Sequence, residues 1–342
     1  MYIDDLPTPA LIIEANALEH NVATMAALYP GAKLRPHVKA HKCTSIAKVQ
    51  ARFGHSGFTC ATPREVLGLA KAGLDADILL ANETVDVARL GAIAGTNVTV
   101  AVDSEETIRA AFRAGIRNVV IDVFVGLPRC GCEPDDAGRL ADLARSLNLT
   151  VRGVMGYEGH VMMVGDAGDK AVKVTQAMSA LHACADIVGG DIISAGGTGT
   201  YKEHLTSGIT ELQAGSYALM DTQYATLGFP FIQAVHVVGT VISRSAGWAV
   251  ADVGLKALGM DHGNPEVDGY DVWFCSDEHV TFAVKRDIAN INAPAPTVLP
   301  AVGDRILVTP AHVDPTMAQH ERAYVHREGL VVDEWAIDLR GW

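Results

Sequence analysis

Short apolar runs and helical segments alternate along the first two thirds of the chain. The candidate strands are Lys33–Val38, Gly57–Thr62, Asp77–Ala81, Val98–Val102, Val119–Val125, Val151–Tyr157, Asp191–Ser194 and Glu211–Ala214. Between them, Pro63–Ala72, Glu105–Ala114, Asp135–Leu147 and Asp169–Val188 carry Ala, Leu and Arg at helical spacing. Strands alternating with helices predict an α/β fold, and eight in about 190 residues predict a (β/α)8 TIM-type barrel. Before this rhythm starts, residues 2–13 form an apolar run broken by Pro7 and Pro9. A helical pattern then runs from Asn16 to about Leu28.

After about Leu227 the helical period fades and period-two strands take over. Candidates are Val235–Ser243, Trp248–Val253, Tyr270–Phe274, Val280–Val284, Arg305–Val308, Ala323–Arg327 and Leu330–Ala336, separated by Gly, Pro, Asp and Asn. Ala289–Pro300 reads as a loop. The expected organisation is a barrel over residues 1–227 and an all-β domain over 228–342. The N-terminal strand is a candidate to join the β domain.

The 342 residues, 49% hydrophobic and 20% charged, suit a large core in an ordinary enzyme-like protein. A net charge of −13 argues against nucleic acid and anionic membrane as partners. No apolar run reaches transmembrane length, and the acidic start Met1-Tyr2-Ile3-Asp4-Asp5 is unlike a signal peptide. Six scattered cysteines form no CxxC pair; only Cys130 and Cys132 are close. Reduced thiols in a cytoplasmic protein are expected.

Candidate chemistry concentrates in Leu34-Arg35-Pro36-His37-Val38-Lys39-Ala40-His41-Lys42. On a strand, alternation puts His37, Lys39 and His41 on one face, where mutual repulsion favours neutral bases. A partly neutral lysine is a nucleophile toward a carbonyl compound or pyridoxal phosphate. The alternative is a basic surface strand binding any anion. Barrel enzymes work at the C-terminal ends of their strands and hold phosphate after the seventh and eighth. Lys39 falls at such an end, as do Arg129 in Gly126-Leu127-Pro128-Arg129-Cys130-Gly131 and the group Tyr157, Glu158 and His160. Ser194-Ala195-Gly196-Gly197-Thr198-Gly199-Thr200 follows strand seven, and Gly215-Ser216-Tyr217 follows strand eight; both suit backbone contact with phosphate. Taken singly, the glycines could be a tight turn, Arg129 a surface cation, Tyr157 a core residue and His160 a structural histidine. Their shared rim position argues otherwise. In Pro310-Ala311-His312-Val313-Asp314-Pro315, an extended backbone would turn His312 and Asp314 to one side, as a partial shell for a hard divalent ion.

The run Arg35-Pro36-His37-Val38-Lys39-Ala40-His41-Lys42 resembles the pyridoxal-phosphate lysine motif of the D-threonine aldolase and D-serine dehydratase group. That group belongs to the fold-type III, alanine-racemase-like enzymes. The resemblance covers nearly the whole chain. It takes in Thr8-Pro9-Ala10, Arg129-Cys130-Gly131, Tyr157-Glu158-Gly159-His160, Gly196-Gly197-Thr198 and Gly215-Ser216-Tyr217. Asp221, Ser276-Asp277-Glu278-His279 and Pro310-x-His312-x-Asp314 complete it. Phe124 and Pro128, ahead of Arg129, depart from the pattern.

The resemblance implies that Lys39 carries the cofactor, that Arg129 contacts its ring oxygen and that Tyr157 lines its ring. Gly197, Thr198, Gly215 and Ser216 would hold the phosphate, and His312 and Asp314 a divalent metal. Asp314 stands where the dehydratase branch usually has cysteine, as in the aldolase branch with its manganese- or magnesium-type ion. The implied reaction is retro-aldol cleavage of D-3-hydroxy-2-amino acids to glycine and an aldehyde, with His160 as base. The alternative is a D-serine or 3-hydroxy-D-aspartate dehydratase; an amino-acid racemase is a weaker third reading. A cofactor-holding barrel without catalysis fits poorly with the long β domain. A homodimer is also implied.

Overall fold

The protein is described here from a computed structural model that covers residues 1–285 and 298–342. The loop expected over Ala289–Pro300 lies outside these residues except for its last three. The chain divides into two compact units: residues 1–21, 40–43 and 216–338 in one, and 22–39, 44–215 and 339–342 in the other.

The chain opens with β1 (Ala10–Glu14) and α1 (Ala15–Leu28). Seven parallel strands follow: β2 (Gly57–Cys60), β3 (Asp77–Leu80), β4 (Val98–Val102), β5 (Asn118–Asp122), β6 (Thr150–Met155), β7 (Ile192–Ala195) and β8 (Glu211–Leu212), hydrogen-bonded in that order. The helices of this unit are α2 (Thr44–Arg52), α3 (Pro63–Lys71), α4 (Val87–Ile93), α5 (Glu105–Arg113), α6 (Ala137–Ser146) and α7 (Ala167–Val188). Local chemistry sets their starts. Thr62 caps α3 in a reciprocal box with Glu65, with Pro63 at the first helical position, and Ser104 caps α5.

Because the strands are buried on both faces, they read as continuous apolar runs; all five residues of β4 are buried. Alternate residues take opposite sides. Ile78, Leu80, Val98, Val100, Val102, Val119 and Ile121 pack with Val66, Leu69, Leu90 and Ile108 of the helices. Leu79, Ala101, Val120, Met155 and Ile192 form a separate cluster on the other face.

The eight regular strands expected from the sequence are seven. Lys33–Val38 is no ladder strand: Pro36 breaks the donor pattern, and a 3-10 turn begins at Val38. Residues 34–37 nevertheless bridge the two edge strands. The Arg35 and His37 amides donate to the Leu212 and Ala214 carbonyls, and the Thr59 amide donates to the Pro36 carbonyl. The buried Arg35 guanidinium fastens this segment at the N-terminal end of the sheet. Its Nε and Nη2 donate to the two Glu211 oxygens at 2.8 Å each, and Nη2 also reaches Asp77 Oδ2 at 2.7 Å. Gly57 leaves room for it, since a Cβ there would lie 3.1 Å from Arg35 Nη1.

The other unit holds α8 (Thr222–Ala225), α9 (Val313–Gln319) and the remaining strands. These are β9 (Val235–Arg244), β10 (Ala249–Ala251), β11 (Glu266–Val267), β12 (Tyr270–Cys275), β13 (Val280–Val284), β14 (Arg305–Thr309), β15 (Arg322–Arg327) and β16 (Leu330–Ala336). Six of them close an antiparallel ring in the order β9, β10, β13, β12, β11, β14. The expected N-terminal strand joins this unit: β1 pairs antiparallel with β9 and parallel with β15. No helix among the described residues is long and apolar enough to cross a membrane.

Candidate active site

The C-terminal ends of the parallel strands bring most of the sequence-predicted residues to one rim. Lys39 sits half-buried in the 3-10 turn that follows the bridging segment 34–37, and its amide donates to His37 Nδ1 at 3.4 Å. The expected alternation of His37, Lys39 and His41 on one strand face therefore stops at His37. His41 is fully buried and accepts the Cys43 amide at 3.2 Å. Arg35 points to neither: it serves the ion pairs at the opposite end of the sheet.

The loop after β5 and the turn after β6 meet. The Arg129 guanidinium carbon lies 5.1 Å from the Tyr157 ring centroid, a cation–π contact. Gly126, at φ +118°, packs against the exposed His160: a Cβ there would fall 2.8 Å from the ring. On the other side of Tyr157 lies the loop after β7. A Cβ on Gly197 would come within 3.7 Å of the tyrosine ring and 3.1 Å of Met162 Sδ. Thr198 is buried. Gly215 and Ser216 follow β8, where Ser216 opens a 3-10 turn and its carbonyl accepts the Met220 amide at 2.7 Å.

This rim suits a flat phosphorylated pyridine. It offers an amine at Lys39, an aromatic face at Tyr157 beside a guanidinium, and a glycine cradle that any side chain would fill. Two larger clefts, of about 480 and 380 Å³, lie at the N-terminal ends of the strands and beside α7, away from these groups.

Sequence reading missed an acidic cluster at the same rim. Ligand atoms of Glu83, Asp103 and Cys130 lie within 4.8 Å of one another. Burial, then the Glu83 hydrogen bond, pushes the Cys130 thiol up to about 12, while burial, then repulsion from the Glu83 carboxylate, raises Asp122 well above its ordinary value. A buried Glu158–His204 pair beneath the β7 loop also went unread. Its one signal was the placement of Glu158 inside Tyr157-Glu158-Gly159-His160.

The predicted metal ligands lie in the unit of β9–β16. His312 is extended, at φ −142°, and precedes α9; Asp314 sits in that helix's first turn, not on extended chain. The pair still converges, with His312 Nε2 3.7 Å from Asp314 Oδ2. The Asp221 carboxylate caps α8 and accepts the Val313 amide at 3.1 Å, which fixes the start of α9. Asp261 and His262, missed from the sequence, lie beside His312, the ligand atoms of the three within 4.8 Å of one another. Asp261 Oδ2 is 2.7 Å from His312 Nδ1, and the His262 ring stacks on His312 with centroids 3.8 Å apart. Imidazole and carboxylate donors in this number suit a hard divalent cation.

Comparison with known proteins identifies the family. The profile of the alanine racemase N-terminal domain matches residues 13–223, and that of a serine dehydratase domain matches residues 234–326. The chain is 32% identical to a D-threonine aldolase of an Arthrobacter species, over 98% of this chain and 93% of that protein. It is 31% identical to a 3-hydroxy-D-aspartate aldolase of Paracoccus denitrificans, with the same coverage. A crystal structure of D-threonine aldolase from Filomicrobium marinum superposes with TM-score 0.91 at 33% identity, covering 99% of this chain and 97% of that one. The D-threo-3-hydroxyaspartate dehydratase of a Delftia species superposes at 0.83 with 27% identity, covering all of both chains.

Proposed function

The chain belongs to the alanine-racemase-like family of fold-type III pyridoxal-phosphate enzymes, and on that premise we propose that it cleaves D-3-hydroxy-2-amino acids by a retro-aldol reaction. It is a lyase of the aldolase type; the products are glycine and an aldehyde. The observation that carries this reading is similarity over 98% of the chain to two aldolases of such amino acids. Asp314, in place of the cysteine usual in the dehydratase branch, supports the same choice.

Lys39 would hold pyridoxal phosphate through its amine, with Tyr157 along the ring and Arg129 at the ring oxygen. Gly197, Thr198, Gly215 and Ser216 would surround the phosphate, the glycines by allowing close backbone approach. Bound there, the cofactor supplies an electron sink for the pair released when the Cα–Cβ bond breaks. His312 and Asp314 would hold a divalent ion of the manganese or magnesium type, whose chemistry is to acidify a hydroxyl. His160 would accept the proton of the β-hydroxyl, a role its exposed position on the rim permits. The protein's own task is orientation: it sets the breaking bond across the ring plane and selects the D configuration. A homodimer in the cytoplasm completes the proposal.

A second reading, favoured by the likeness to the Delftia dehydratase, makes Lys39 the base that removes the α-proton. The products are then a 2-oxo acid and ammonia. One assay separates the two: the purified protein with D-threonine, D-phenylserine and 3-hydroxy-D-aspartate, with and without chelator. Glycine and aldehyde that vanish with chelator support the aldolase; ammonia without glycine supports the dehydratase.

A further inference from the structure

Glu158 is one of the most completely buried charged groups in the protein, and it lies beneath the glycine loop that follows β7. Its side chain and that of His204 are both 0% exposed. Three donors converge on its carboxylate. The Thr200 hydroxyl donates to Oε1 at 2.6 Å, and His204 Nε2 lies 2.9 Å from the same oxygen. The Gly196 amide donates to Oε2 at 3.3 Å. Gly196 and Thr200 are the two ends of the loop, so one carboxylate ties both. The middle is held as well: the Gly197 amide donates to Thr200 Oγ1 at 3.3 Å, and the buried Lys170 ammonium donates to the Gly199 carbonyl at 2.7 Å.

Space is as tightly set as hydrogen bonding. Gly196 has φ +80°, and a Cβ on it would lie 2.5 Å from the His204 ring; a Cβ on Gly199 would lie 2.3 Å from the Met162 carbonyl oxygen. A plain turn needs none of this. Burying a carboxylate is costly unless every lone pair in use meets a donor, and an acceptor-only group is what three converging donors require. Burial alone would lift this carboxyl, but the His204 and Thr200 hydrogen bonds outweigh it and hold Glu158 below the usual carboxylate range.

We propose that Glu158 is a positioning residue: with Thr200 and His204 it pre-forms the Gly196–Thr200 loop for the phosphate of the cofactor. The inference rests on the pyridoxal-phosphate reading above. It makes a demand that a merely structural role does not, because it concerns the phosphate and not the pyridine. Glu158→Gln keeps one acceptor for Thr200 and His204 but turns an amide donor toward the Gly196 N–H. The loop should loosen while the ring site stays.

The test titrates the full-length apoprotein with pyridoxal phosphate and, separately, with pyridoxal, following protein fluorescence, after circular dichroism has confirmed folding. Glu158→Gln is expected to weaken pyridoxal phosphate by about 10- to 100-fold, the loss typical of a charged hydrogen bond, and to change pyridoxal less than about 2-fold. Thr200→Val, which removes one arm of the network, should shift the ratio the same way by a smaller factor. It decides the matter if Glu158→Gln does not fold. Equal losses for both ligands, or an unchanged ratio, overturn the proposal while leaving the cofactor reading intact. Wild-type protein that takes up no pyridoxal phosphate overturns both.

Discussion

His312 and Asp261 share a hydrogen bond of 2.7 Å, from imidazole Nδ1 to carboxylate Oδ2. That bond commits one ring nitrogen; Nε2, 3.7 Å from Asp314 Oδ2, is then the atom that would face the divalent ion proposed above. Carboxylates that orient a ligating imidazole typically contribute 10- to 100-fold in metal affinity. Asp261→Asn is therefore expected to weaken manganese binding by about 10- to 100-fold by calorimetric titration. His312→Ala and Asp314→Ala should abolish chelator-sensitive cleavage. Unchanged manganese affinity in Asp261→Asn would show that the carboxylate does not orient the ring.

Lys39 is the one lysine the scheme assigns to the cofactor. Borohydride reduction of the holoprotein followed by peptide mapping should find the adduct on Lys39 and on no other residue. Lys39→Ala should lose the visible cofactor absorbance and, with the cofactor no longer held through its amine, turnover as well. An adduct on Lys42 or Lys170 would reject the assignment.

Cys130 tests the acidic cluster. A thiol pushed up to about 12 by burial and by Glu83 holds almost no thiolate at pH 8. Iodoacetamide should modify Cys130 in the folded protein at least about 100-fold more slowly than an ordinary free thiol. Glu83→Gln should speed it, since one of the two causes is then gone. Rapid labelling of Cys130 in the wild type would contradict the arrangement.

Much of this was readable from the residues, for physical reasons that also explain the rest. Strands buried on both faces announce themselves as apolar runs, so β2 to β8 fall close to their expected places. The first expected strand did not form a ladder because Pro36 cannot donate and the chain turns at Val38, a local effect that hydropathy ignores. Long-range returns were also silent. Leu339 is fully buried in the core of the parallel-sheet unit, where a Cβ on Gly68 would meet it at 2.1 Å. Site residues at strand ends could be placed by counting strands. Asp261, and the pairing of Glu158 with His204, could not, because the partners lie 51 and 46 positions away in the chain.

Stability should respond to acid in two separate windows. The imidazoles of His55, His236, His320 and His326 are all lowered, mainly by burial. The folded state binds their protons less readily than the unfolded chain, so stability should start to fall as pH drops below about 6.5. Asp77 behaves differently. Burial raises it, but hydrogen bonds from Arg35 and Arg152 outweigh burial and hold it below its ordinary value. Its contribution is fully present above about pH 4 and is lost as pH falls through the depressed folded value. Urea midpoints should therefore be level between pH 7 and 8, decline below about 6.5, and decline again below about 4. Asp77→Asn should shrink the second decline, to which Glu158 also contributes, and leave the first. Glu211→Ala leaves the buried Arg35 charge with Asp77 as its remaining carboxylate partner and should cost less than the roughly 3–5 kcal/mol of a buried pair broken from one side. A single decline that Asp77→Asn does not alter would mean that the Arg35–Asp77–Arg152 contacts do not hold in solution.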